Sequence, residues 1–213
     1  METMNTRGLW IAAFAALANL STALAAPAPP DEVVKSTTER LQKEIGAREK
    51  EFKADQGKLY AFVDEIIVPK FDTKYIAQLI LARHWKGATE DQRKRFQAAF
   101  KDMLVHSYAN ALVEYHSSVK AEWQPLRMAP DATDVTVNSR LVRGNGKPPL
   151  PIGFAMRLKD DEWKVYDIVI ENLSLVTSFR GQINSEIKRT SLDALIQRLE
   201  SGQKLEPETQ KKG

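Results

Sequence analysis

Near Ser117 the apolar pattern of this chain changes period, from the 3.6 of a helix to the 2 of a strand. Helices gathered first and strands afterwards predict an α+β architecture rather than an alternating one. Upstream, Val34, Thr38, Leu41 and Ile45 mark one helical face, and Glu39–Lys43 and Glu44–Arg48 are spaced as i,i+4 ion pairs. Leu59, Phe62, Val63, Ile66 and Ile67 mark a second helix, which Pro69 ends. Asp72 is placed to cap a third, with Tyr75, Ile76, Leu79, Ile80 and Arg83 along one side, and "HWKGA" (84–88) breaks the chain. Thr89 and Gln92 form a capping-box pattern that opens a long helix. Its apolar stripe runs Phe96, Phe100, Met103, Leu104, Tyr108, Ala111 and Tyr115, with Arg93, Lys94, Gln97 and Lys101 opposite.

Downstream, Val119, Ala121 and Trp123 alternate, as do Val135, Val137, Ser139 and Leu141, and then Ile152, Phe154, Met156 and Leu158. "KDDE" (159–162) is a tight-turn candidate before "WKVYDIVI" (163–170). Four strands with short or Gly/Pro-rich connections predict an antiparallel meander. The next segment, "ENLSLVTSFRGQI" (171–183), spaces Leu173, Val176, Phe179 and Ile183 as a helix, so a corner helix runs from about Leu173 to Lys188. A short amphipathic helix follows, carrying Leu192, Leu195, Ile196 and Leu199. The expected organisation is one domain over 26–205: a helical part at about 31–116, a sheet part at about 117–171, C-terminal helices at about 172–200. A frayed tail follows at 206–213. "APAPPDE" (26–32) is a Pro-rich, mobile leader in this reading.

Residues 1–25 have a different composition. One early positive charge precedes an apolar run from Leu9 to Leu20, and Ala23-Leu24-Ala25 offers the small residues a signal peptidase accepts. A run of that length is too short to span a bilayer, so it reads as a cleaved export signal, with an uncleaved anchor as the alternative. With no cysteine, the exported chain has neither disulfides nor an N-terminal lipidation site. A soluble periplasmic protein is the expectation, stabilised by its core alone. The net charge of +3, from 31 basic and 28 acidic residues without a dense basic cluster, argues against nucleic acid.

The residues of catalysis are scarce. His84, His106 and His116 lack the spacing of a metal site, and no metal is expected. Gly144-Asn145-Gly146 begins like a dinucleotide fingerprint, but Pro149 breaks it, and a strand-linking loop explains it. Adjacent Asp160 and Asp161 diverge at a turn. Asp167 shares a strand face with Val165 and Val169 by simple alternation, and Arg180 is the expected structural partner of that carboxylate. What remains is wide apolar surface on both helices and strands. Periodicity alone leaves open whether that surface closes into a packed core or leaves a dry cavity.

Two blocks narrow the choice. "FDTKYIAQLILARHWKGATEDQRKRFQAAFKDMLVHSYA" carries Phe71-Asp72, Leu81, Trp85, Thr89, Gln92-Arg93, Phe96, Phe100, Leu104 and Tyr108. "EWKVYDIVIENLSLVTSFRGQI" carries Trp163, Val165-Tyr166-Asp167, Glu171, Ser174-Leu175 and Arg180. In this order they resemble the MlaC family of periplasmic phospholipid carriers, over about Val33 to Lys188. Ala82 and Asn172 stand where the family pattern has glycine, Phe179 where it has tyrosine, and Ile183 where it has phenylalanine.

The resemblance implies an NTF2-like arrangement of helices around a twisted antiparallel sheet of about four strands, with an apolar lipid cavity between them. It implies no catalysis and no cofactor, only a bound phospholipid as cargo. It also implies two docking partners: an MlaA-like outer-membrane lipoprotein–porin complex and an inner-membrane ABC transporter with an MlaD-like MCE-domain protein. The cavity wall is then expected at Ile76, Leu79, Ile80, Phe100, Leu104, Leu141, Ile152, Phe154, Met156, Val169, Leu173, Val176 and Phe179. Two other classes of reading compete: an exported NTF2-like enzyme with Asp167 as general base, and a fully packed periplasmic interaction module.

Overall fold

A computed structural model describes residues 27–144 and 146–205. The expected export signal (1–25) and tail (206–213) lie outside them, as does Asn145. The Pro-rich leader ends in a helix rather than beside one. Pro30 occupies the first turn of α1 (Pro30–Ala54), where its missing N–H costs nothing, and Asp31 and Glu32 sit favourably at the helix N-terminus. Asp55 separates α1 from α2 (Gln56–Ile66) by accepting a bond from the Lys58 N–H. The expected pairs Glu39–Lys43 and Glu44–Arg48 are not among the ion pairs of the described residues, and Glu44 meets Arg40 instead. The backbone at Arg48 leaves helical geometry (φ −116°, ψ 16°), and Arg48 Nε meets Glu51 at 2.9 Å instead.

A single 3-10 turn, Val68–Lys70, leads to α3 (Thr73–Leu81), capped by Asp72, whose carboxylate accepts from the Tyr75 N–H at 3.1 Å. The chain breaks at Ala82 (φ 47°), before "HWKGA". Arg83 therefore belongs to the short α4 (Arg83–Gly87) and not to α3. The capping box forms as expected, with Thr89 and Gln92 bonded reciprocally at the start of α5 (Glu90–Tyr115).

Among the described residues, five strands in consecutive order make one antiparallel sheet: β1 (Val119–Trp123), β2 (Asp134–Arg143), β3 (Leu150–Lys159), β4 (Glu162–Ile170) and β5 (Leu173–Ser174). The first four are those expected, and the fifth is two residues long. Asp160 and Asp161 form the β3–β4 turn, both at positive φ (50° and 57°). Register places Trp123, Ser139 and Ile152 on one face, with Val137, Phe154 and Ile168 and with Val135, Met156 and Val165. The alternation expected of β1 to β3 therefore holds. In β4 it does not, because Ala155 pairs with Asp167 while Met156 pairs with Val165, leaving Tyr166 as an extra residue. That bulge turns Asp167 and Val169 to the face opposite Val165.

Glu171 and Asn172 (φ 49° and 67°) reverse the chain into β5, which runs straight into α6 (Leu175–Arg189), followed by α7 (Leu192–Glu200). Because β5 is so short, the edge of β4 near Val165 would be bare. Phe71 bridges to Val165 there, and the Asp72 N–H donates to the Val165 carbonyl at 2.9 Å.

Three apolar clusters hold these parts together. One joins α3, α5, α6 and α7 through Ile80, Phe96, Phe100, Ile183 and Leu195. One joins α1, α2 and α5 through Ile45, Phe52, Leu59 and Ala109. The third packs Val34 of α1 on Val137, Met156, Trp163 and Val165 of the sheet. Each fully buried side chain of this size contributes about 1.5–3 kcal/mol, so α1 and α5, each a member of two clusters, tie the parts together.

Candidate functional site

Between α2, the 3-10 turn, α3, α5 and β4 the packing leaves a cavity of about 270 Å³. Val63, Ile67, Val68, Phe71, Ile76, Ala77, Phe100, Leu104, Val105, Tyr108, Ala109, Leu112 and Ile168 give it an apolar wall. Its few polar groups, Thr73, Gln97 and Lys101, satisfy one another or their neighbours. Gln97 Nε2 donates to Thr73 Oγ1 at 2.9 Å, joining α5 to α3. Lys101 Nζ meets Asp64 at 2.9 Å, joining α5 to α2, and Asp102 at 2.5 Å. Burial by itself would lower the Lys101 pKa, but bonds to Asp102 and Asp64 outweigh it and hold the ammonium above the usual lysine value. The cavity therefore offers a ligand a largely apolar surface, with each of these three polar side chains already tied to a neighbour.

A second cavity, of about 740 Å³, lies farther along the same helix. Thr38, Leu41, Gln42 and Ile45 of α1 form one side, and Ala111, Leu112 and Tyr115 of α5 another. Val119 and Ala121 of β1 and Leu141 and Arg143 of β2 form the floor, on the sheet face that the helices cover. His116, Ser118, Gly144 and Lys147 complete the rim. Leu112 stands in the wall of both cavities.

The residues expected at a cavity wall divide. Ile76, Phe100 and Leu104 line the first cavity, and Leu141 lines the second. Ile80, Val176 and Phe179 are buried in the helical core, where Phe179 meets Phe100 edge-on at 5.2 Å, and Leu79 packs against that core. Met156 is buried and Phe154 packed in the cluster between sheet and α1, and Ile152 is buried beside them. The β4 bulge puts Ile168, not Val169, on the cavity side. Leu173 pairs with Ile170 in β5. The corner helix is thus core, and the wall of the first cavity is built by α2, α3 and α5 with Ile168 of β4.

Asp167 and Arg180 do not pair. Asp167 Oδ2 accepts from the Ser174 hydroxyl at 2.5 Å and Oδ1 from the Val176 N–H at 3.0 Å, so the carboxylate secures the start of α6. Ser174 Oγ in turn accepts from the Thr177 N–H at 3.0 Å. Arg180 Nε donates to the Leu79 carbonyl at 2.7 Å and ties α6 to the end of α3. Both side chains fix the corner, each with its own partner, and neither lines either of these two cavities. Arg93, expected opposite the apolar stripe, donates from Nε to the Trp85 carbonyl at 3.0 Å and stacks on the Trp85 ring at 5.0 Å. Gln97 and Lys101, expected on that same face, stand at the first cavity.

Comparison with known proteins places this geometry. The chain is 28% identical over 165 residues to a toluene tolerance protein, ttg2D, of Pseudomonas putida, covering 77% of this chain and 75% of that one. It is 25% identical over 173 residues to the intermembrane phospholipid transport system binding protein MlaC of Haemophilus influenzae, covering 80% of each. A solved structure of a phospholipid-binding protein from Ralstonia solanacearum, in complex with a phospholipid, superposes with a TM-score of 0.74 at 30% identity. The match covers 82% of this chain and 97% of that one. The family model described as MlaC protein matches residues 35–201, and the chain belongs to the MlaC family.

Proposed function

We propose that this protein is a soluble periplasmic carrier that binds a phospholipid by its acyl chains and shuttles it between the outer and inner membranes, maintaining outer-membrane lipid asymmetry. The observation that carries the reading is an apolar cavity, whose Thr73, Gln97 and Lys101 are tied to neighbours, in a fold shared with a phospholipid-bound relative. Each methylene withdrawn from water is worth about 0.8 kcal/mol, so two ordinary tails favour an apolar site by roughly 20 kcal/mol or more. Release into water at that cost is negligible. Cargo must therefore pass between docked proteins of comparable affinity, an MlaA-like lipoprotein–porin complex at one membrane and an ABC transporter with an MlaD-like protein at the other. Among the described residues no helix is long and apolar enough to cross a membrane, in keeping with a diffusing carrier.

The competing readings have less support. A general base has to face its substrate, and Asp167 lies outside both cavities with its two oxygens engaged. A fully packed module would leave no such voids. The test is organic-solvent extraction of protein purified from the periplasm, followed by mass spectrometry. The expected result is near-stoichiometric phospholipid, and repeated recovery of lipid-free protein would overturn the carrier reading.

A further inference from the structure

At about 270 Å³, the first cavity lies below the roughly 300–1,000 Å³ of ordinary ligand sites, too little for a two-tailed lipid. Resting on the carrier reading, we infer that the second cavity is the other half of the ligand site and that Arg143 in its floor receives the lipid phosphate.

The two cavities differ in the way this requires. In the first, the lysine at the rim is held by two carboxylates. Among the described residues the second is lined by Arg143 and by Lys147, which has a partner of its own, and by no acidic residue. None of the ion pairs among the described residues involves Arg143. One terminal nitrogen of its guanidinium donates to the Pro148 carbonyl at 2.6 Å, which holds the group in place. Its Nε is closed off from solvent and has no acceptor. A buried donor left in this state is costly, and bulk water does not relieve it. An anion in the cavity cannot reach that sealed nitrogen, but it can meet the terminal nitrogens of the same guanidinium, which stands in the lining and whose planar fork matches the oxygens of a phosphate better than any other side chain.

The rest of the cavity selects an anion that carries an apolar body. Leu41, Ile45, Ala121 and Leu141 would be wasted on a free ion. Leu112 links this space to the first cavity, and α5 from Phe100 to Tyr115 rises about 22 Å, the scale of an extended acyl chain. A lipid with its phosphate at Arg143 can thus send a tail along α5 into the compartment around Phe100.

The test compares two lipids with identical tails. Lipid-free full-length mature protein is incubated with vesicles containing phosphatidylglycerol or, separately, diacylglycerol, and retained lipid is counted by native mass spectrometry. Arg143→Gln should lower phosphatidylglycerol retention about tenfold or more, the worth of a charge-assisted hydrogen bond, and leave diacylglycerol retention unchanged. Arg143→Lys should recover part of the loss. Lys147→Gln, which keeps the Arg143–Pro148 bond, should weaken phosphatidylglycerol selectively but less. Equal losses for both lipids, or no loss for either, would overturn the inference. So would inorganic phosphate at millimolar concentration displacing phosphatidylglycerol, since the site would then serve a free anion. Wild-type protein that retained neither lipid would defeat the carrier reading itself.

Discussion

Ala82 holds a backbone conformation that an L residue with a side chain rarely adopts, φ 47° and ψ −115°, at the joint between α3 and α4. The joint is pinned on three sides: the Ala82 N–H donates to Gln78, Trp85 donates to the Ala82 carbonyl, and Arg180 donates to Leu79. The surroundings therefore impose the strain, which costs about 1–3 kcal/mol for a non-glycine residue. Replacing Ala82 by glycine should raise stability by about 1 kcal/mol after glycine's own entropic cost, shifting the thermal midpoint upward by about 2–4 °C. Asn172, at φ 67°, occupies a left-handed region that asparagine tolerates, so Asn172→Gly should move the midpoint far less. A scan in which Ala82→Gly melted at or below wild type would show that the side chain bears no strain. Positive φ at both positions is the physical reason that the resemblance leads one to expect glycine there.

Among elements, α7 is fastened to α6 by one buried carboxylate. Glu186 is 7% exposed and bonds both Arg198 of α7 and Arg189 at the end of α6. The bond from Arg198, with the charges of Arg198 and Arg189, holds the Glu186 carboxyl below the usual glutamate value of 4.5. A depressed folded pKa contributes stability that is present above about pH 4.5 and is lost as pH falls through the lower folded value. Glu186→Gln should therefore melt earlier than wild type at pH 7, and the gap should narrow as acid protonates the wild-type carboxyl. Parallel melting curves from pH 7 to pH 3, with a constant gap, would exclude this linkage.

Elements are the most legible part of the sequence. Caps at Asp72 and Thr89 and the alternation of β1 to β3 each follow from a local rule, and each holds. The β4 bulge at Tyr166 has no such mark, because "WKVYDIVI" alternates plausibly on either side of it, and a single extra residue exchanges Val169 for Ile168. The same bulge turns Asp167 away from the face that simple alternation assigns to it.

At the scale of the whole molecule, the cavity wall depends on which apolar face is left without a partner, and periodicity carries no such information. Ile76, Phe100 and Leu104 are legible because α3 and α5 display broad stripes. Val63, Ile67 and Leu112 are not, because their stripes look like those of any packed helix, and Val176 and Phe179 mislead for the same reason. The difference between wall and core is measurable with one substitution made at two places. Val176 is 6% exposed in the helical core beside Phe179 and Ile183, so Val176→Glu strands a carboxylate where nothing pairs with it. An uncompensated buried charge costs about 3–5 kcal/mol, enough to remove much of the stability of an ordinary domain. That variant should fail to express or melt far below wild type. Ile76 is only partly buried and borders the cavity, where the carboxylate introduced by Ile76→Glu can keep water. This second variant should fold with a near-normal midpoint when lipid-free, retain little phospholipid, and lose the extra stability that bound lipid lends to the wild type. Thermal midpoints with and without lipid, read beside phospholipid per mole of protein, separate these outcomes. A folded Ile76→Glu that still carried a full complement of lipid would mean that the tails lie elsewhere, and the compartment around Phe100 would have to be given up as their site.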